Sequence, residues 1–333
     1  MSPAFGLLCF ALFLPASLAA QTLAVALTEE NRVLLFDTRT YDSVASVPVG
    51  PAPHEIAAAP DGRHLYIGNT GTSGRPERRT VTRIDVADQA QTTVIEAGDC
   101  AGLHDLRVSR SGRLLWISCA RVPAVAEIDL ATGKVRRQWR TTLDGGWMLT
   151  ASPDERRIFV AHLEAQAVSV IDRERHTTVT VPGPGPQIGI EVTPSGREVW
   201  VTAADSGRVT VLDAASGRVL ASFPSGGEGP ARVRFTPDGR LAVIPHDVSS
   251  TLTLVDVASR TPIASVPLEA VPKVLALSPD GRVAVVSHPE AKLISVVDLE
   301  RRAVGRTLEL PGVPDGVAYA SGNVPRTTRQ AAR

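Results

Sequence analysis

An apolar run that ends in aspartate returns seven times along this chain, as LLFD, TRID, AEID, SVID, TVLD, TLVD and SVVD. It sets Asp37, Asp85, Asp129, Asp172, Asp213, Asp256 and Asp298 at intervals of 48, 44, 43, 41, 43 and 42 residues. Self-similarity at such a period marks a repeat architecture, in which each unit buries its apolar face against the next. A second signature, APDG, SRSG, SPDE, TPSG, TPDG and SPDG, falls between the aspartates. Its Pro and Gly supply the backbone angles of a tight turn between two strands. Each unit then reads as four short strands, as in IAAAPDG, HLYIGN, VTRIDV and TTVIEAG. Short β-branched runs with period-two alternation argue for β structure throughout.

Four strands in about 42 residues, repeated seven times, predict an all-β fold, a seven-bladed β-propeller. The ends are in register for closure. The chain opens on a second strand, Leu23 to Leu27, and its last strand, Gly316 to Ala320, reads as a first strand. One blade then joins both termini and leaves no open edge.

Units such as PHEIAAAPDGRHLYIGN and GREVWVTAADSGRVTVLDAASGRVLASFPSGGEGPARVRFTPDG resemble the YVTN-repeat β-propellers of exported bacterial proteins, over residues 22–320. The resemblance implies the fold. It implies no single activity, because that family spans binding proteins and several unrelated functions.

Before the repeats stands MSPAFGLLCFALFLPASLAAQ, an apolar run from Phe5 to Leu14 followed by Pro15 and small residues. It reads as a secretory signal over residues 1–20, although it lacks the usual Lys or Arg, and it is too short to span a bilayer. The expected organisation is a signal at 1–20, a propeller at 21–322 and a loose tail, NVPRTTRQAAR, at 323–333. The expected location is periplasmic or secreted. Lys+Arg and Asp+Glu balance at 35 each, so nothing in the charge points to nucleic acid or an anionic membrane. A monomer is expected.

Cys9 leaves with the signal, which keeps Cys100 and Cys119. In an oxidising compartment two remaining cysteines predict a disulfide. Metal ligation through Cys119 is the alternative, and it requires a reduced thiolate.

Aligning the units shows where unusual residues collect. The start of the innermost strand holds His54, His104, Trp147, Ile188, Ala231, Lys273 and Asp315. The end of the second strand holds Leu27, Asn69, Cys119, His162, Ala203, His246 and His288. In antiparallel strands the start of one and the end of the next lie at the same end of the sheet, so both are expected to ring one mouth of the central channel. Five of the seven histidines occupy them, where random placement would put roughly 0.3. His54-Glu55, His104-Asp105 and His246-Asp247 pair imidazoles with acids, and strict alternation would turn only one of each pair to the channel. A six-residue insertion between Asn69 and Asp85 adds Arg75, Arg78 and Arg79 near the same mouth.

Two readings of this face stay open. The residues could form a structural polar network between blades. Alternatively they form a pocket in which His54, Glu55, His104, Asp105, Trp147, Lys273, Asp315 and Arg75 hold an anionic small molecule. In the second reading His54, His104, His162, His246 and His288 are candidate ligands of a divalent metal. The repeat aspartates are expected to cap turns on the opposite face.

The chain has no phosphate-binding glycine loop, G-x-S-x-G elbow, His-Glu-x-x-His or C-x-x-C-H. The function expected is binding of a small ligand, metal or protein partner at the mouth. One alternative is general acid–base or metal-dependent chemistry, because propeller lactonases and lyases are similar in fold. A further alternative is a haem or copper site, which histidines at a propeller mouth resemble.

Overall fold

The computed structural model describes residues 21–71, 79–89, 91–183 and 185–322. The expected signal, the expected tail, and Arg75 and Arg78 of the insertion lie outside the described residues. Twenty-eight strands form seven four-stranded antiparallel sheets, and no helix occurs among the described residues. The ring closes as the repeat register implied. Pro314–Ala320 pairs with Thr22–Leu27, which continues through Arg32–Asp37 to Ser43–Pro48. Tyr319 stands opposite Leu23, and Val317 opposite Val25.

The turn signatures have a physical basis. Their fourth residues, Gly62, Gly112, Glu155, Gly196, Gly239 and Gly281, have φ between 59 and 73°. Glycine meets no Cβ penalty in that left-handed region. Glu155 is the exception, and its carboxylate accepts the Ser111 N–H at 2.7 Å from the neighbouring turn. The repeat aspartates each accept a backbone N–H two or three residues onward, as in Asp129 to Ala131 and Asp298 to Arg301. These are local turn caps.

Packing runs between blades. Trp116, Val125 and Trp139 of one blade meet Leu149, Ile158 and Val160 of the next. Trp200 and Val209 likewise meet Val233 and Ile244. Each such buried side chain contributes roughly 1.5–3 kcal/mol, so the ring gains stability from blade-to-blade contact rather than from one central core. The outermost strands are largely solvated; Thr177–Pro182 has no buried residue.

The innermost strands deviate from regular pairing at one place. Pairing slips between Pro53 and Ile56, Leu103 and Leu106, Gly146 and Leu149, and Gln187 and Ile190. In the last two full repeats the inner strand shortens to Arg234–Phe235 and Leu275–Leu277. A bulge of this kind re-aims side chains that strict alternation would place on opposite faces. It falls at the channel mouth in every case.

Candidate functional site

The starts of the innermost strands build the mouth. His54, His104, Trp147, Ile188, Ala231 and Lys273 line one cavity of about 460 Å3. Asp315 is buried and donates nothing to the lining, but it holds two residues that do line it. Nδ1 of His54 donates to Oδ2 of Asp315, and Nζ of Lys273 lies 3.3 Å from the same oxygen. Gly316 makes this meeting possible. A Cβ there would lie 2.2 Å from the carbonyl oxygen of His54, so only glycine lets the closing strand approach so near.

Electrostatics separate the two histidines. Burial opposes a charge on His54, but the charge and hydrogen bond of Asp315 outweigh it and raise the imidazole above its ordinary pKa. Burial likewise pushes Asp315 up, yet His54, Lys273 and Arg232 hold it below the ordinary carboxylate range. Nε2 of His54 stands 3.3 Å from Nε2 of His104. Burial first, and then the His54 charge, drive His104 well below the usual histidine value. A charged His54 donates through both nitrogens, so the neutral His104 carries its proton on Nδ1. That Nδ1 makes no hydrogen bond among the described residues. The His104 ring stacks on Trp147 with centroids 3.7 Å apart. Lys273, half exposed, completes a cationic side opposite the apolar Trp147 and Ile188.

The acids that follow the two histidines also turn inward, which the bulge explains and strict alternation did not anticipate. Glu55 and Asp105 line a second chamber beneath the mouth cavity. Glu55 accepts a 2.6 Å bond from Arg232, whose side chain lines the mouth cavity, and both partners are about 4 % exposed. This ion pair spans the channel and divides it into two chambers.

The second-strand histidines occupy a different environment. His162, His246 and His288 are fully buried. Nδ1 of His162 donates to Asp144 O at 3.0 Å while Nε2 accepts from Ser169 at 2.8 Å. His288 repeats this with Ala270 O at 2.9 Å and Ser295 at 2.9 Å. His246 bonds Ser225 at 2.9 Å. The expected set of five histidines is therefore not brought together. No group of three or more His, Cys, Asp or Glu among the described residues is placed to share a metal ion. The mouth is lined instead by the residue after the second-strand end in five of the seven blades, Thr28, Thr70, Ala120, Leu163 and Asp247. A one-residue step turns a strand side chain to the other face.

Sequence reasoning also passed over Arg121 and Arg232, which line the cavity. Cys100 and Cys119 form a disulfide with Cα atoms 5.2 Å apart. Cys119 pairs with Leu103, so the bond anchors the segment that presents His104. His64 bonds Asp61, and His176 stacks on Trp139, both away from the mouth.

No family model matches the chain. It is similar to two curated relatives, each named Protein NirF. The one from Pseudomonas aeruginosa is 26% identical over 201 residues, and the one from Stutzerimonas stutzeri is 25% identical over 207 residues. Each match covers 56% of this chain and 49% of the relative, so the chain spans about half the length of the curated relatives it matches. Among solved structures, Kuenenia stuttgartiensis Hydrazine Synthase aligns with a TM-score of 0.72 at 20% identity, over 86% of this chain and 97% of that chain. That likeness shows the seven-bladed propeller fold.

Proposed function

We propose that this protein is an exported β-propeller of the YVTN-repeat kind that binds a small organic anion with a planar or apolar body in the mouth cavity. The observation that carries the reading is the Lys273–Asp315–His54–His104 chain, set beside Trp147 at a cavity of about 460 Å3. Concave sites with an apolar wall and a few convergent polar groups are where ligands of this size bind. Lys273 and the raised His54 supply positive charge, and Trp147 supplies a flat surface. Export is supported by the N-terminal apolar run and by the disulfide.

The test uses 8-anilinonaphthalene-1-sulfonate, an aromatic anion, as probe. Its affinity is expected to weaken about tenfold in Lys273→Ala and in Trp147→Ala, and to stay unchanged in His64→Ala and His176→Ala. If the mouth variants and the controls bind alike, the reading fails.

A second reading, proton transfer on the bound molecule, is favoured by one observation. His54 and His104 are in contact, yet their surroundings push their pKa values apart. Such a split suits one group to give a proton and the other to receive it. Cyclic esters followed by proton release test it. Turnover that disappears in His54→Ala supports it, and no turnover by the wild-type protein between about pH 5 and 9 removes it.

A further inference from the structure

The far end of the channel holds a second cluster of charge that the mouth cavity does not use. Arg107 and Arg234, from two different blades, both donate to the same oxygen of Glu191. The distances are 3.0 and 2.8 Å. The other oxygen of Glu191 accepts Thr150 Oγ1 at 2.9 Å. Arg107 also donates from Nε to Leu149 O at 3.1 Å, which fixes the plane of its guanidinium.

Two guanidiniums on one carboxylate oxygen leave donors unused. Each has about five N–H groups in a rigid fork. The side chains of Arg107 and Arg234 keep 24% and 17% of their surface exposed. Both line a cavity of about 520 Å3, together with Arg110, Glu155 and Glu191. It adjoins the chamber of about 360 Å3 below the Glu55–Arg232 pair, which also contains Arg107 and Arg234. Burial, and next the charge of Arg107, press the pKa of Arg234 down. Burial opposes the charge on Arg107 too, but Glu191, and next Asp105 at 3.8 Å from its Nε, outweigh it and hold Arg107 above its ordinary pKa.

We propose that the end of the channel opposite the histidine mouth is a second, separate anion site, in which Arg107 and Arg234 together hold a carboxylate or phosphate group of a small molecule. Paired guanidiniums match the oxygens of either group through parallel charge-assisted bonds. Glu191 orients both forks when the site is empty and competes with the ligand when it is filled. This assignment is independent of the mouth cavity, whose residues lie across the Glu55–Arg232 partition.

Titration calorimetry with succinate and, separately, inorganic phosphate tests the site and distinguishes the two anions. At least one is expected to bind, about tenfold more weakly in Arg234→Gln and in Arg107→Gln. Glu191→Gln is expected to strengthen binding by about threefold, which a purely structural arginine–glutamate cluster would not do. Lys273→Gln, at the other mouth, is expected to leave affinity unchanged. Thermal melts show which variants remain folded. Should Arg107→Gln fail to fold, Arg234→Gln and Glu191→Gln decide the question. Absence of binding by both anions up to about 10 mM overturns the proposal. So does binding that survives Arg234→Gln or that is lost in Lys273→Gln.

Discussion

His54 and Asp315 stand 261 residues apart in the chain, and the hydrogen bond from Nδ1 to Oδ2 joins them where the last strand seals the ring. Ring closure and site assembly are therefore one event. The charged His54 contributes stability that is fully present below its ordinary pKa of about 6.5 and is lost as pH rises through its raised folded value. Asp315, held low, contributes above its ordinary pKa of about 3.9 and loses that contribution as pH falls. Asp315→Asn is expected to cost about 3 kcal/mol in mildly acidic solution, because it strands a buried imidazolium. His54 should then titrate below its ordinary value. Imidazole NMR titration and denaturation across pH check both outcomes; a His54 pKa unchanged by the substitution contradicts the coupling.

His246 responds to pH in the opposite sense. Burial pushes it down to about 4, so it is neutral in the folded protein. Its stability contribution is present above about pH 6.5 and is lost as pH falls toward 4, amounting to about 3 kcal/mol over that window. Asn69 occupies the equivalent position in another blade and is buried on Thr80 and Thr82. His246→Asn is therefore expected to fold, to be about 2 kcal/mol less stable at pH 7, and to close that gap as pH falls. Urea denaturation at several pH values measures it.

Glu55 and Arg232 partition the channel as a desolvated pair. Removing one partner leaves a buried charge, so Glu55→Gln and Arg232→Met should each cost about 3–5 kcal/mol. The double variant should cost clearly less than both effects together, because neither stranded charge remains. A double-mutant cycle by guanidinium denaturation gives the coupling, and simple additivity contradicts it.

The Cys100–Cys119 bond closes a loop with a sequence separation of 19. Replacing both cysteines with Ala is expected to cost about 3 kcal/mol, chiefly through the freedom returned to the unfolded chain. Because the bond anchors the segment before His104, exchange broadening of the His104 imidazole signals should accompany the loss. Melting with and without reductant measures the first effect. NMR of the imidazoles measures the second.

The fold was legible because the repeat aspartates and turn glycines act locally: each sets its own hairpin, so spacing alone carries the count of blades. The inner-strand positions were legible for the same reason, and His54, His104, Trp147 and Lys273 do line the mouth. The second-strand positions misled by one residue. Sharing a strand end with the mouth does not fix side-chain direction, and His162 points into its blade while Leu163 lines the cavity. The inward turn of both His54 and Glu55 was hidden because a bulge is a tertiary outcome with no residue signature here. Arg232 drew no notice because its partner is 177 residues away.

One sequence signal would have separated these histidines from the site. The residue three before each repeat aspartate is Thr82, Ser169, Thr253 or Ser295 wherever the second strand ends in Asn69, His162, His246 or His288. Where that end is Leu27 or Cys119, the matching residue is the apolar Leu34 or Ala126. The pairs are hydrogen-bonded units within a blade, as His162 with Ser169 and His288 with Ser295 show. One blade breaks the rule. There the second strand ends in Ala203, which offers Thr210 no polar side chain, and the Thr210 hydroxyl is buried without a partner among the described residues. Thr210→Val keeps the shape and removes an unsatisfied group, so it should be neutral or stabilising by about 1 kcal/mol. Ser169→Ala and Ser295→Ala do the reverse. Each strands a buried imidazole nitrogen and should cost about 1–3 kcal/mol, while anion binding at the mouth stays as in the wild-type protein. Thermal melts of the three variants, with the sulfonate probe measured on each, provide the comparison. A Thr210→Val variant less stable than Ser169→Ala would show that these pairs are not what holds the second-strand histidines in place.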